Sequence, residues 1–237
     1  MAITKVTITG ADDSIRPTEL IELSERFPFV EWGILLSKSS EGRTRFPSLD
    51  WMHLLGDIKR ANPNMGLSGH LCGKWVRDLC NGQNEFGLDR PSLVAMFDRL
   101  QLNFHAYQHK IRPAFIPALT ELMDGRQVIF QFDRVNDALL GEAFKAGING
   151  VPLFDTSGGI GRLPDEWPIA IDGMYCGYAG GLGPDNLSEQ IEKIELASSG
   201  QDIWIDMETR VRSDDDSLFD MSKVEACLKI AEHYVRK

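Results

Sequence analysis

Residues 99–105 read Arg-Leu-Gln-Leu-Asn-Phe-His, and every second side chain is polar. Leu100, Leu102 and Phe104 form one face of a strand, and Gln101, Asn103 and His105 form the other. The same alternation returns at 127–133, where Gln131 and Asp133 oppose Phe130 and Phe132. It returns again at 202–208, where Asp206 and Glu208 oppose Ile203, Ile205 and Met207. A strand in an open parallel sheet is covered on both faces and reads as a continuous apolar run. In a closed barrel only the outer face packs on helices, and the inner face can carry polar groups that meet water or a ligand near the mouth. The alternation therefore favours a closed barrel over an open doubly wound sheet.

Working outward, eight short apolar segments follow one another at 3–9, 29–37, 64–72, 99–105, 127–133, 147–155, 170–179 and 202–208. Most intervals between them carry helical patterning. Pro17 precedes the apolar stripe of Leu20, Ile21 and Leu23, in the position where a helix start tolerates proline. Pro184-Asp185-Asn186 opens a stripe of Leu187, Ile191 and Ile194, and Val224, Leu228, Ala231 and Val235 form the last one. Strand alternating with helix implies parallel βαβ units. A count of eight, at about 30 residues per unit, predicts a single (β/α)8 TIM-barrel domain over residues 1–237.

Composition narrows the function classes. Of 237 residues, 43% are hydrophobic and 25% charged, which is ordinary globular composition. The net charge of −10 argues against a nucleic-acid surface, although a local pocket for one small anion remains compatible with it. The four cysteines have no CxxC spacing, so neither a zinc site nor a disulfide framework is expected, and free thiols fit a reducing cytoplasm. The start of the sequence does not read as a secretory leader, and no 18-residue apolar run suggests a membrane span. The expectation is a cytoplasmic protein without membrane partners, of undetermined oligomeric state.

In a barrel of this kind, working residues sit at the carboxyl ends of the strands and in the loops after them. Those ends carry Thr9, Ser37, His70, Cys72, Asn103, His105, Asp133, Asp155 and Glu208. Any one of them could be a cap or turn residue. Two histidines and three carboxylates converging on one mouth would be costly without a purpose. Glycine-rich loops follow the sixth and seventh strands, at 155–162 and 177–186, and suit either tight turns or backbone N–H groups approaching an anion. Neither has Walker or GxGxxG spacing, so no nucleotide cofactor is expected. A metal site from His70, His105, Asp133 and Glu208 would leave no spacing signature, and none is expected. Lys38 is the nearest lysine to a strand end, which disfavours Schiff-base chemistry. His53, His109 and His233 read as surface or structural residues, and Asp214-Asp215-Asp216 as an exposed loop.

The order of these motifs resembles phosphoribosylanthranilate isomerase, a TIM-barrel family. GYAGGLGPDN at 177–186 is similar to its AGGL-x-P-(E/D)-N segment, and LFDTSGGIGRLPDEW at 153–167 to its LLD…GGxGxxxxW segment. KVTITG, RLQLNF and IDMETRVRSDDDSLFDMSKV follow weaker family patterns in the right order. The resemblance implies an Amadori rearrangement of a phosphoribosylated aromatic amine, with the aspartate after strand six, Asp155 here, as general acid. The family's strand-one cysteine base corresponds to Thr9, whose hydroxyl is far too weak an acid for that role. Its strand-four histidine corresponds to Asn103, with His105 two residues on. Its phosphate-holding serines after strand eight correspond to Glu208 and Thr209, with Arg210 following. Its anion-binding arginine corresponds to Arg45.

The sequence reading is thus a diverged member of this family that isomerises a phosphorylated or otherwise anionic sugar-like substrate without a cofactor. Asp155 would be the acid, and Glu208, His70 or Asp133 the base. Thr9, Arg45, Asn103, His105, Gly159, Gly180, Gly181 and Arg210 would line the substrate. The alternative is a non-catalytic binding or scaffold barrel that kept the fold after losing its base.

Overall fold

The alternation at 99–105 belongs to one wall of a closed parallel barrel. In the computed structural model, which describes residues 3–103, 111–132, 137–155 and 161–236, the strands close in sequence order. They are β1 (Ile3–Thr9), β2 (Val30–Leu36), β3 (Gly66–Leu71), β4 (Arg99–Leu102), β5 (Gln127–Phe132), β6 (Gly150–Asp155), β7 (Cys176–Ala179) and β8 (Ile203–Met207). Outside them lie α1 (Glu19–Arg26), α2 (Leu49–Ala61), α3 (Lys74–Cys80), α4 (Glu85–Asp89), α5 (Pro91–Met96), α6 (Phe115–Met123), α7 (Asp137–Lys145), α8 (Leu187–Ala197) and α9 (Met221–Ala231). This is the (β/α)8 TIM barrel that the strand patterning predicts.

Two differences from the sequence reading have local causes. The seventh strand begins at Cys176 rather than near residue 170, because a turn at Asp172-Gly173 interrupts the run, with Gly173 at φ 71°. No helix forms in the described part of the β6–β7 crossover. Trp167 anchors that stretch instead, donating from Nε1 to Gln190 Oε1 at 3.0 Å and packing edge-on against Tyr178. Val235 falls beyond α9 and pairs with Ile3 in an isolated bridge.

Strand tilt brings the inward residues of alternate strands to one level, so the lumen fills in rings of four side chains. The pairing register assigns the rings. The uppermost holds Leu35, Asn103, Asp155 and Glu208, and the second Thr9, His70, Gln131 and Ala179. The third holds Gly33, Gln101, Leu153 and Asp206, and the fourth Thr7, Ser68, Ile129 and Gly177. Glu31, Arg99, Val151 and Trp204 form the fifth. The polar members come mostly from β1–β4. Ile129, Val151, Leu153, Ala179 and Trp204 from β5–β8 pack as a separate apolar cluster. The outward residues, among them Leu100, Leu102, Phe130, Ile203 and Ile205, join the larger core beneath the helices.

The polar half is closed at its base by a buried ion pair. Glu31 accepts hydrogen bonds from Arg99 through both oxygens and from Thr7 Oγ1 at 3.0 Å, with Lys5 Nζ 3.5 Å away. The Arg99 guanidinium lies over the Trp204 ring, 4.8 Å from its centroid. Burial alone would raise the Glu31 carboxyl, but Arg99 first, then Lys5 and Thr7, hold it below its ordinary value.

Removing one partner of such a pair strands a charge in the interior. Arg99→Met should therefore lower unfolding stability by about 3–5 kcal/mol in urea titrations. The double variant Arg99→Met/Glu31→Leu should recover most of that loss. Equal stability of the single and double variants would show that the charge at Glu31 is not what makes the single change costly.

Candidate functional site

A cleft opens at the carboxyl-terminal end of the barrel over β6, β7 and β8. It has a volume of about 410 Å³, open mouth included, and is lined by Leu153, Asp155, Gly161, Ala179, Gly180, Gly181, Leu182, Asp206, Met207, Glu208, Thr209 and Arg210. The rings explain where it lies. Ala179 is the smallest side chain of the second ring, so the level below, Leu153 and Asp206, is reached through the gap it leaves. Asp155 and Glu208 of the uppermost ring stand on either side of that gap.

The loops seat the rim. Gly181 has φ 66°, and a methyl group there would stand 2.6 Å from the backbone N of Leu163. Only glycine lets the loop after β7 lie directly against the loop after β6. Asn186 locks the turn, donating from Nδ2 to Gly181 O at 2.9 Å and accepting from Gly183 N at 3.0 Å. Arg210 follows β8 in a 3₁₀ turn (Thr209–Val211), packs its stem on Gly183 and is exposed at the cleft edge. Arg162 is exposed on the neighbouring loop.

Three carboxyl groups reach this cleft. Asp155 closes β6 and accepts from Gln131 Nε2 at 2.8 Å. Asp206 accepts from Thr9 Oγ1 at 2.8 Å. Burial, with added repulsion from Glu208, Asp155 and Glu31, pushes the Asp206 carboxyl up to about 8, against the opposing pull of the Thr9 hydrogen bond. Asp206 is therefore a neutral, proton-bearing carboxyl near pH 7. The Glu208 carboxyl also lies above its ordinary value, since burial outweighs the pull of Arg45, and Asp155 and Asp216 add to the rise.

Arg45 is tied down on all sides. Its backbone is left-handed (φ 71°), and its N donates to Asp12 Oδ2 at 2.7 Å. Its Nη1 meets Glu208 Oε1 at 2.5 Å and its Nε meets Asp216 Oδ2 at 2.8 Å. Beneath it the fully buried Arg212 donates to Asp12 Oδ2 at 2.8 Å, Asp216 Oδ1 at 2.7 Å and Gly10 O at 2.5 Å. The acidic run 214–216 is thus only partly an exposed loop, because Asp216 joins two arginines. Loops after β1, β2 and β8 meet in this lattice, which holds Glu208 in place.

The remaining sequence candidates divide. His70 is buried in the second ring and does not line the cleft. Burial is the main reason its imidazole falls to about 3, so it is neutral, and its Nε2 has no hydrogen-bond partner among the described residues. Asn103 accepts from Gln101 Nε2 at 2.9 Å and donates to Cys72 Sγ at 3.0 Å, and burial pushes that thiol up to about 12. Asp155, Glu208, Gly180, Gly181 and Arg210 line the cleft, while Thr9 and Arg45 touch it through Asp206 and Glu208. His105, Asp133 and Gly159 lie outside the described residues, as does His109. His53 and His233 are exposed. Asp206 was missing from the sequence-derived site because it lies one pleat short of the strand end. The alternation of Ile203, Ile205 and Met207 around it already pointed it inward. Among the described residues no cluster of three or more His, Cys, Asp or Glu has metal-holding geometry, and no helix is long and apolar enough to cross a membrane.

A carboxyl titrating near 8 in the folded state and near its ordinary value when unfolded keeps a proton in between that the unfolded chain has lost. Stability must then fall as pH rises through that window. Urea midpoints measured from about pH 4 to about pH 8 should decline more steeply in the wild type than in Asp206→Asn. Parallel profiles would mean that Asp206 is not the protonated group.

No known protein family's sequence profile matches the chain, and no curated protein matches it. Among solved structures it is similar to phospho-2-dehydro-3-deoxyheptonate aldolase (DAHP synthase) from Thermotoga maritima. The TM-score is 0.58 at 11% sequence identity, over 98% of this chain and 69% of that one. At that identity the likeness establishes the TIM-barrel fold and nothing finer.

Proposed function

We propose that the cleft is an acid/base site that isomerises a small anionic, sugar-like carbonyl compound. The observation that carries this reading is the convergence of Asp155, Asp206 and Glu208 on one cleft whose surroundings push two of them above the ordinary carboxylate range. Neighbouring carboxyls with different proton affinities are what transfer of a proton out of and back into one substrate requires. The backbone of Gly180 and Gly181 and the exposed Arg210 supply the rim for the anionic end, with Arg162 beside them.

In the mechanism, Asp155 gives a proton to the substrate's ring or carbonyl oxygen, the role that the family resemblance implies for it. Glu208 takes the proton from the adjacent carbon. Its raised proton affinity makes it a better base than an ordinary surface carboxylate, and Arg45 keeps its carboxyl aimed. His70 is less suited to that role, being neutral, weakly basic and buried to one side of the cleft. The electron pair left on carbon forms an enediol or enamine, Glu208 delivers a solvent-exchangeable proton one carbon away, and the hydroxyl that becomes the new carbonyl returns a proton to Asp155, so no oxidant or reductant is consumed.

The first substrate to test is phosphoribosylanthranilate, followed by a panel of aldose and ketose phosphates in D2O. Turnover should appear as loss of anthranilate fluorescence, or as deuterium incorporated beside the carbonyl. Asp155→Asn and Glu208→Gln should each lower the rate by ~10²–10⁴-fold. Ala179→Leu should close the gap and abolish binding while the protein stays folded. Saturable binding with no exchange by the wild type would instead favour the non-catalytic barrel, and neither binding nor exchange across the panel would remove both readings.

A further inference from the structure

The level that contains Asp206 has one member without a side chain, Gly33. A methyl group at Gly33 would overlap Thr9 Oγ1 and stand 2.9 Å from His70 Cε1 and 3.0 Å from its Nε2. Thr9 and His70 therefore lean down from the level above and occupy the space a larger residue would take. The lean has a direction, because Thr9 Oγ1 ends 2.8 Å from Asp206 Oδ1. Thr9 is 1% exposed, so its hydroxyl has no solvent alternative. Asp206 lines the cleft floor, and among the described residues Oδ1 is its only carboxyl oxygen with a hydrogen-bond donor.

We infer that Thr9 is a positioning residue: its hydroxyl, seated in the gap above Gly33, fixes Oδ1 of Asp206 and so presents Oδ2 to whatever reaches the cleft floor. The inference rests on the proposed function for its ligand but not for its geometry. Asp206 lies at the floor, below the rim of Gly180, Gly181 and Arg210, so the group it meets is a hydroxyl or carbonyl oxygen at the far end of the ligand from its anion. The cleft then takes its ligand end-on, with the anion at Gly180, Gly181 and Arg210 and a neutral oxygen on Asp206. The charged groups facing Asp206 are Glu208 on its own strand, Asp155 on β6, Glu31 on β2 and, from two levels below, the guanidinium of Arg99 on β4. His70 on β3 shares the Gly33 gap and is neutral. None of these donates to Asp206, and among the described residues Thr9 is the donor that fixes its orientation.

The test reads Asp206 directly, by ¹³C-carboxyl NMR titration of aspartate-labelled protein, with Asp206→Asn assigning the signal. The Thr9 hydrogen bond favours the charged carboxylate, so its loss in Thr9→Val should move the Asp206 midpoint further up, by roughly one pH unit. Thr9→Ser keeps the donor and should titrate like the wild type. If Thr9→Val does not fold, Thr9→Ala is read in the same way. An Asp206 midpoint unmoved by loss of the hydroxyl would overturn the inference.

Ligand binding supplies the second reading, using ribose 5-phosphate against inorganic phosphate. Both carry the anion and only the sugar can reach the floor. Thr9→Val should weaken ribose 5-phosphate binding about tenfold and leave phosphate unchanged. Equal weakening of both would contradict the end-on arrangement. If the wild type binds neither probe, the proposed function fails, and the titration still decides the role of Thr9.

Discussion

Closing eight tilted strands into a ring fixes the diameter of the lumen, and the inward side chains must fill it level by level. Most of what is particular to this protein follows from how that constraint is met. Where a level lacks a side chain, another level supplies it: Thr9 and His70 fill in at Gly33, and Trp204 does the same beside Gly177. Where a small residue stands at the second level and nothing replaces it, as at Ala179, the lumen opens to the solvent. The cleft is thus a deliberate shortfall in the same packing scheme that makes the rest of the barrel solid.

Polar groups inside such a lumen must satisfy one another. The base does so with full charges, Glu31 against Arg99, and the middle with amides and hydroxyls such as Gln101 to Asn103 and Thr9 to Asp206. Ascending the barrel, counter-charges thin out while carboxyls persist. Among the described residues Asp206 has no cation within hydrogen-bond reach, with Arg99 acting on it only from a distance, and Glu208 pairs with Arg45, which it shares with Asp216. Asp206 and Glu208 therefore hold their protons more tightly than Glu31 at the base, because their burial is no longer matched by positive charge.

The strands were legible in the sequence because inward and outward faces differ in polarity, and Leu100/Gln101 or Ile205/Asp206 display that difference over adjacent residues. The carboxyl ends of β1, β6 and β7 fall where the pattern puts them and β8 ends one residue earlier, at Met207, so Asp155, Gly180, Gly181 and Glu208 meet at one cleft. Levels could not be read, since they depend on stagger between strands far apart in sequence. That is why the pattern alone puts neither Asp206 nor the Gly33 gap at the cleft, and why His70, at a strand end by sequence, turns out to lie to one side of it. The lattice of Asp12, Arg45, Asp216 and Arg212 joins three loops and has no local pattern to betray it. The run at 214–216 looked like solvated charge for the same reason. The missing helix between β6 and β7 reflects Trp167 anchoring that stretch through a distant partner, Gln190.

The vacancy at Gly33 also constrains how this sequence can change. Position 9 can carry a hydroxyl leaning inward only while position 33 has no side chain, and a side chain at 33 is admissible only if position 9 withdraws. Because His70 fills the same gap, a side chain at 33 requires both neighbours to move, and substitutions at 9 and 33 are coupled rather than additive. A glycine at 33 is thus a precondition for the inward lean of Thr9 and for its contact with Asp206, and a residue that touches no ligand sets the orientation of one that does.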